Sequence, residues 1–169
     1  MQIIVNTAQA QALFDSKTYK CASGKGGAVS AEDKVEGDGA TPLGQWPLRR
    51  IFYRPDRITP PQSVLPLVPL RPIDGWCDAP LDPLYNRPVS LPYTSSHEKL
   101  WREDHVYDVI VELGHNDDPV IPYRGSAVFM HVAKTDYTPT EGCIALALDD
   151  LLDLLSRVDT DTVMDIRPA

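Results

Sequence analysis

A histidine and a cysteine twelve positions apart near the end of the chain have the side chains needed for thiol chemistry. His131 ends a β-prone run, and Cys143 follows in the segment Pro139-Thr140-Glu141-Gly142-Cys143-Ile144. Thiol catalysis requires a thiolate, a base that takes the thiol proton near neutral pH, and hydrogen-bond donors for the oxyanion. Gly142 leaves the backbone uncrowded, so the Gly142 and Cys143 amides could face a tetrahedral intermediate. We therefore predict Cys143 as the nucleophile, His131 as the base and Gly142 as part of the catalytic site.

The alternative is a buried cysteine near a histidine with a structural role, and spacing alone gives both interpretations similar weight. The chain has three cysteines, so at least one thiol is unpaired however the others are arranged. Cys21 and Cys77 could form a disulfide in an oxidising compartment. Two small buried thiols are the simpler interpretation.

The elements around this pair are predicted to be strands. Residues 126–132 form a β-prone run ending at His131, and residues 144–146 continue extended after Cys143. A short connection between two such strands can bring their side chains together. We predict that His131 and Cys143 lie on neighbouring strands.

Periodicity predicts further strands and one helix. Residues 3–6, 13–14 and 19–22 are predicted to form a β meander with a turn at Asp15-Ser16. Residues 106–113 alternate as a strand with one apolar face. Residues 149–158 carry leucines and a valine at helical spacing, with acidic residues in the first turn, and are predicted to form a helix.

The sequence also predicts the solvent face of one strand, a second short helix and a strand near the end of the chain. Asp108 and Glu112 are expected on the solvent face of their strand. Ser95 and Glu98 have capping-box spacing, which predicts a second short helix over residues 99–102. Residues 162–166 could close the sheet.

The middle of the chain is predicted to be a long functional loop. The 16 prolines cluster between Pro42 and Pro92, where they limit helices and inner strands. Aromatic residues in residues 55–92 argue against disorder, so we interpret this segment as a binding or lid insertion. Residues 24–44 hold six of the 10 glycines and predict tight turns.

Composition excludes several classes of function. The 169 residues, 43% of them hydrophobic, suit one globular domain spanning residues 1–169. The formal charge of -8, with no compensating basic stripe, makes nucleic acid a poor partner. No apolar stretch approaches the roughly 20 residues that span a bilayer. Residues 1–21 show no signal-peptide pattern, so any export signal is not visible.

Two separated motifs resemble the YkuD-type L,D-transpeptidases. The family hallmark is a histidine followed by Ser/Thr-x-Gly-Cys, which here corresponds to His131 and Thr140-Glu141-Gly142-Cys143. Residues 35–44, with Gly-Asp-Gly and Thr-Pro-Leu-Gly, are similar to an early segment of the same family. Residues 74–78 and 85–89 resemble a small proteobacterial branch.

This resemblance implies a mainly β fold, namely a β-sandwich with one or two short helices and a long proline-rich insertion, and it implies no metal and no organic cofactor. It also implies a transferase of peptidoglycan biosynthesis, with roles in cell-wall organisation and cell shape. Cys143 would attack a stem-peptide carbonyl, and the acyl group would pass to an amine of a second stem. Carbapenems are expected inhibitors, and the expected location is periplasmic or associated with the cell wall.

Three departures from the family pattern affect the predicted specificity. Glu141 stands where many members have histidine, and Ala145 stands where many have an arginine that would meet a substrate carboxylate. The loop between His131 and Cys143 is also shorter than in many members. Members of this branch are associated with links through the first stem residue, so a 1,3 cross-link is expected. Candidates for substrate binding are Thr140, Arg102, Trp101, Arg124, Arg87 and Asn86.

Alternative interpretations stay open at this stage. Water in place of the acceptor amine would give an L,D-carboxypeptidase or endopeptidase, and a wall-binding module would not be catalytic at all. His97, His105 and His115 lack the spacing of a known zinc motif, so we expect them on the surface. For Trp76 and Trp101, core packing is the default and stacking on a ligand the alternative.

Overall fold

The structure, a computed structural model, describes residues 1–168. In this range it has fourteen β-strands and one α-helix. In chain order they are β1 (Gln2–Asn6), β2 (Gln11–Phe14), β3 (Lys17–Ala22), β4 (Ala28–Val29), β5 (Thr41–Pro42), β6 (Gly44–Tyr53), β7 (Leu67–Pro69), β8 (Asp74–Cys77), β9 (Pro88–Ser90), β10 (His97–Lys99), β11 (Val109–Leu113), β12 (Phe129–Val132), β13 (Ile144–Leu146), α1 (Leu148–Leu155) and β14 (Val163–Arg167).

Eight of these strands close into a mixed barrel. Their order is β11-β12-β13-β3-β2-β1-β14-β6, and β6 pairs back onto β11. The ten-residue β6 makes this closure possible, because its first half pairs with β14 and its second half with β11. The predicted mainly β fold is confirmed, and the long β6 joins the layers of the expected sandwich into one closed sheet.

The predicted meander is confirmed in β1, β2 and β3. Asp15 and Ser16 both have positive φ, 48° and 64°, and connect β2 to β3. Two such residues suit the tight turns whose twist matches that of paired strands. The predicted helix is confirmed as α1, and its first turn carries Asp149 and Asp150 without a side-chain cap.

Alternate residues of the barrel strands face two different cores. The larger core fills the barrel with side chains from all eight strands, and Leu151, Leu154 and Leu155 of α1 pack against it. The second core lies on the outside of β6, β11 and β12 and includes Phe52, Ile110, Phe129 and Cys143. Burial of both faces explains why β11 and β12 each contain only one polar residue, Glu112 and His131.

The proline-rich insertion covers this outer face. Its strand β8 pairs with β9 on one side and with β10 on the other, so the insertion is only partly a loop. Trp76 on the central strand is 2% exposed and packs edge-on against Phe129 and Phe52, with ring centroids 5.1 and 6.3 Å apart. The core-packing interpretation of Trp76 is thus the right one.

The predicted second helix is wrong, because the segment forms β10 instead. Both capping-box side chains have tertiary partners: Ser95 Oγ donates to Asp82, and Glu98 accepts from Tyr107. A local capping signal was therefore overridden by contacts that sequence spacing does not contain.

The predicted solvent face of the 106–113 strand is also wrong. Asp108 and Glu112 are buried, and each pairs with an arginine, Arg57 at 2.7 Å and Arg50 at 2.5 Å. The alternation of polar and apolar residues in residues 106–113 predicted that one face of the strand is exposed to solvent. The insertion covers that face, and ion pairs compensate the buried carboxylates.

Candidate active site

A cavity of about 270 Å³ opens on the outer face of the barrel, and residues within 34–37, 98–107, 126–134 and 138–145 line it. It contains the predicted catalytic residues Cys143, His131 and Gly142 together with Thr140 and Arg102. Other side chains that line the cavity are Lys34, Glu36, Glu98, Tyr107, Lys134, Glu141 and Ala145.

The strand register brings the histidine and the cysteine to one face. β12 and β13 are parallel neighbours, and His131 lies opposite Ala145. Because strand side chains alternate, Cys143, two residues before Ala145, shares the face of His131. The opposite face of the same strands points into the barrel through Met130 and Ile144. The expectation that the pair lies on neighbouring strands is met.

His131 is oriented as a base. Its Nδ1 lies 3.0 Å from the carbonyl oxygen of Val132, which can only accept, so Nδ1 carries the proton and Nε2 is an acceptor. The ring packs edge-on against Tyr107 with centroids 5.4 Å apart. Burial lowers the pKa of His131 to about 4, so the ring is neutral at pH 7.

Cys143 rests as a neutral thiol. Its Sγ donates to the carbonyl oxygen of Ala127 at 3.2 Å and accepts from the Phe129 amide at 3.4 Å. Burial, followed by the negative charge of Glu98, raises the pKa of Cys143 to about 12. The side chain is 8% exposed, on the cavity wall. Reaction therefore requires that the thiol turn from Ala127 and give its proton to a base.

The turn before Cys143 has room only for glycine. Gly142 has a φ of +130°, and a Cβ there would lie 2.7 Å from the Ala40 carbonyl oxygen. Thr41 Oγ1 donates to the Gly142 carbonyl at 3.0 Å. Thr140 Oγ1 donates to the Cys143 carbonyl at 2.6 Å and accepts from the Gly142 amide at 3.1 Å. The glycine-rich segment and the cysteine motif, a hundred residues apart, form one structural unit.

A family model for the YkuD L,D-transpeptidase catalytic domain matches residues 1–166. The chain belongs to this family. The match includes the insertion and the whole barrel apart from the last residue of β14. No curated protein and no solved structure matches the chain significantly. Members of the family act on peptidoglycan, typically outside the cytoplasm.

The cavity of this family member contains only some of the predicted substrate-binding residues. Thr140 and Arg102 line it, and the Arg102 guanidinium is paired with Asp104 at 2.6 Å. Trp101 does not line it, and the Arg54 guanidinium lies 3.7 Å from its ring centroid.

The remaining three candidates lie outside the cavity. Asn86 is buried. Its side-chain oxygen accepts hydrogen bonds from the Trp76 indole and the Ala127 amide, and its side-chain nitrogen donates to the carbonyls of residues 115 and 116. Arg87 donates to the Asp117 carbonyl at 2.6 Å, and Arg124 donates to the Glu32 carbonyl. These contacts do not favour a substrate-binding role for Asn86, Arg87 or Arg124.

The sequence analysis missed several charged groups that line the cavity. Glu98 and Lys34 both face the cavity, and so does Lys134, on the loop that leads to Cys143. A lysine so close to the motif was a signal for a cation near the site. The sequence analysis assigned Glu98 to a helix cap, so its place in the cavity was not predicted. The position of β10 in the tertiary structure brings Glu98 to the cavity.

The histidines outside the cavity differ in their exposure. His115 is 4% exposed and packs edge-on against Trp46 at 4.7 Å, so its predicted surface position is wrong. His105 is exposed.

Within residues 1–168 no group of three or more His, Cys, Asp or Glu side chains is placed to hold a metal ion. No helix in that range is long and apolar enough to cross a membrane.

The three thiols are free and buried. Cys21 lies in the barrel core, and burial raises its pKa to about 12. Cys77 lies on β8, in the insertion. The simpler of the two interpretations, unpaired thiols, is the right one.

Proposed function

We propose that this chain is a single peptidoglycan L,D-transpeptidase domain that works through a Cys143 acyl-enzyme. The observation that supports this most directly is the pairing of β12 and β13, which puts His131 and Cys143 on one face and in one cavity. In the first step, His131 Nε2 takes the thiol proton and Cys143 attacks a stem-peptide carbonyl. The expelled amine receives that proton, and a thioester links the stem to Cys143.

The oxyanion is stabilised by backbone amides at the turn. Since the Gly142 amide donates to Thr140, the Cys143 amide is the expected principal donor, and Gly142 contributes by letting the turn form. In the second step, an amine of another stem attacks the thioester and releases the thiol. The reaction would take place in the periplasm or at the cell wall.

We further propose that the cross-link is of the 1,3 type. Ala145 and Glu141 differ from the residues that many family members carry, and the loop from His131 to Cys143 is short. A site with a different lining suits a donor bond other than the common one. Mass-spectrometric sequencing of the cross-linked product tests this directly, because it identifies the donor and acceptor residues together.

The acyl-transfer function is tested with purified sacculi and with a carbapenem. The wild-type protein should gain the mass of one carbapenem on Cys143, and digestion of treated sacculi should yield new dimers. Cys143→Ala should lose both, whereas Cys21→Ala, which removes a thiol from the barrel core, should keep both. Shortened monomers without new dimers would instead identify a carboxypeptidase or endopeptidase. Normal activity of Cys143→Ala would leave only a binding module.

A further inference from the structure

Six charged side chains line the cavity, and three of them are neutralised from outside it. Lys34 pairs with Asp38, Arg102 with Asp104, and Glu141 with Lys25, at 2.5 to 2.7 Å. Among residues 1–168, the other three, Glu36, Glu98 and Lys134, have no ion-pair partner. The cavity therefore has unpaired carboxylates as well as an unpaired ammonium group.

Glu98 is the unpaired carboxylate whose charge acts on the nucleophile. It is half-buried on β10 and accepts a hydrogen bond from the Tyr107 hydroxyl at 2.7 Å, while the ring of Tyr107 packs on His131. Its charge raises the pKa of Cys143, an effect second only to burial. Burial also raises the pKa of Glu98 itself.

This position is unfavourable for forming the acyl-enzyme, because a negative charge disfavours the thiolate. The Arg102 guanidinium acts on Glu98 but is paired with Asp104, and the hydrogen bond that Glu98 accepts comes from a neutral hydroxyl. A half-buried carboxylate in this position gains from a further cation. The group that must reach the thioester in the second step is an amine, which is an ammonium ion in water. The carboxylate is thus unfavourable in the first half-reaction and suited to the second.

We propose that Glu98 binds the ammonium group of the acceptor stem and takes its first proton, so that Glu98 determines specificity for an amine acceptor over water. This inference rests on the acyl-transfer function proposed above. The amine nitrogen bonds the thioester carbon as the carbon–sulfur bond breaks. The second amine proton passes through His131 Nε2 to the leaving thiolate, which becomes the Cys143 thiol. Glu98 then returns its proton to solvent.

Tyr107 is a positioning residue in this scheme, since its hydroxyl holds one carboxylate oxygen and leaves the other for the ammonium. A Glu98→Gln side chain would still accept from that hydroxyl, so the variant removes charge with little change of shape. Loss of one charge-assisted hydrogen bond should weaken the acceptor interaction by about tenfold or more.

The experiment measures the two half-reactions separately. Acylation is followed as carbapenem adduct formation on Cys143 by intact-mass spectrometry. Transfer is followed as dimer formation with a disaccharide stem peptide at varied acceptor concentration. For Glu98→Gln we expect acylation as fast as in the wild type or faster, about tenfold or greater loss of dimers at low acceptor concentration, and more hydrolysed monomer. Glu98→Asp should recover part of the transfer.

Glu103→Gln is the matched control, since it removes an exposed glutamate that does not line the cavity, and it should behave as the wild type. Unchanged transfer in Glu98→Gln would overturn the inference while the proposed function stands. Equal loss of both half-reactions would also overturn it, since it would indicate a structural role. A wild-type protein that forms neither adduct nor dimers would overturn the proposed function itself.

Discussion

His131 and Cys143 are a neutral pair at rest, unlike a thiolate–imidazolium pair. Burial moves the two pKa values apart, to about 4 for His131 and about 12 for Cys143, so no proton is transferred before substrate arrives. A thiol protected in this way reacts slowly with small oxidants and alkylating agents. Proton transfer must then accompany attack on the substrate carbonyl.

The pH dependence of acylation should reflect this neutral pair. The base form of His131 is lost only as pH falls towards about 4, and the thiol ionises only towards about 12. We expect the rate of carbapenem adduct formation to be nearly flat between about pH 6 and 8, whereas an ordinary thiol becomes more reactive up to its pKa of about 8.5. In His131→Ala the rate should be lower at pH 7 and should rise with pH. A wild-type rate that rises tenfold per pH unit would contradict this prediction.

We propose that Lys134 takes the place of the arginine expected two residues after the cysteine, since it lines the same cavity as Ala145. It lines the cavity, has no hydrogen-bond or ion-pair partner within residues 1–168, and lies three residues after His131. Arg102, the predicted candidate that does line the cavity, is already paired with Asp104.

Lys134→Ala should therefore weaken substrate binding. We expect KM for the stem peptide to rise by about three- to tenfold, the effect of one exposed charge pair or hydrogen bond, with kcat little changed. Steady-state kinetics with a soluble stem peptide measure both quantities. Lys99→Ala, an exposed lysine on β10 outside the cavity, is the control. A fall in kcat without a change in KM would show that Lys134 does not act in binding.

At the scale of elements, the site depends on three segments distant in sequence. The parallel pair β12 and β13 carries the histidine and the cysteine, and the glycine-rich segment supports the turn before Cys143. The insertion forms the sheet β10-β8-β9 with β10, the strand that brings Glu98 to the cavity. Trp76, which packs on Phe52 and Phe129, and the hydrogen bonds of Asn86 are among the contacts that hold the insertion on the barrel.

Asn86→Ala should loosen that insertion. The substitution leaves the Trp76 indole, the Ala127 amide and two backbone carbonyls without their partner. Each buried group left unsatisfied costs about 1–3 kcal/mol, so we expect a loss of at least about 2 kcal/mol in the free energy of unfolding. Urea unfolding measures this, and carbapenem acylation should fall in parallel. Unchanged stability with a raised KM would restore Asn86 as a substrate-binding residue.

Over the whole molecule, neutral titratable groups are buried on both sides of the sheet. His131 and Cys143 lie in the cavity, Cys21 lies in the barrel, and His115, whose pKa burial also lowers, lies under Trp46. Each group ionises more easily in the unfolded chain than in the folded one. Stability should therefore be greatest where all four are neutral in both states.

The sign of the pH effect differs between the two residue types. A histidine with a lowered pKa contributes stability that is present above its unfolded pKa of 6.5 and lost as pH falls to about 4. A thiol with a raised pKa contributes stability that is present below its unfolded value of 9.0 and lost as pH rises towards about 12. The free energy of unfolding should be highest between about pH 6.5 and 9.

Urea unfolding from pH 4 to 10 tests this window. His131→Gln should flatten the acid side by up to roughly 3 kcal/mol, and Cys143→Ser should flatten the alkaline side. An acid dependence identical in wild type and His131→Gln would mean that His131 is not buried as a neutral group.

The sequence by itself determined the residues that are local in the chain. The nucleophile motif, the hairpin turn at Asp15-Ser16, the apolar strands around His131 and the helical stripe of α1 all follow from spacing and residue type. Such signals depend on backbone periodicity and turn chemistry, which act over a few residues. They were enough for the mainly β fold and for the pair His131 and Cys143.

Only the tertiary structure decided which polar residues line the cavity and which are buried elsewhere. Glu98 and Asp108 were assigned from local patterns, and both assignments failed because the insertion folds over the outer face of the barrel. Asn86 lies beside an arginine in a loop, yet it supports the insertion. Closure of the barrel through β6 and the docking of β10 join segments far apart in sequence. Burial and pairing across such distances are properties of packing, which no local pattern contains.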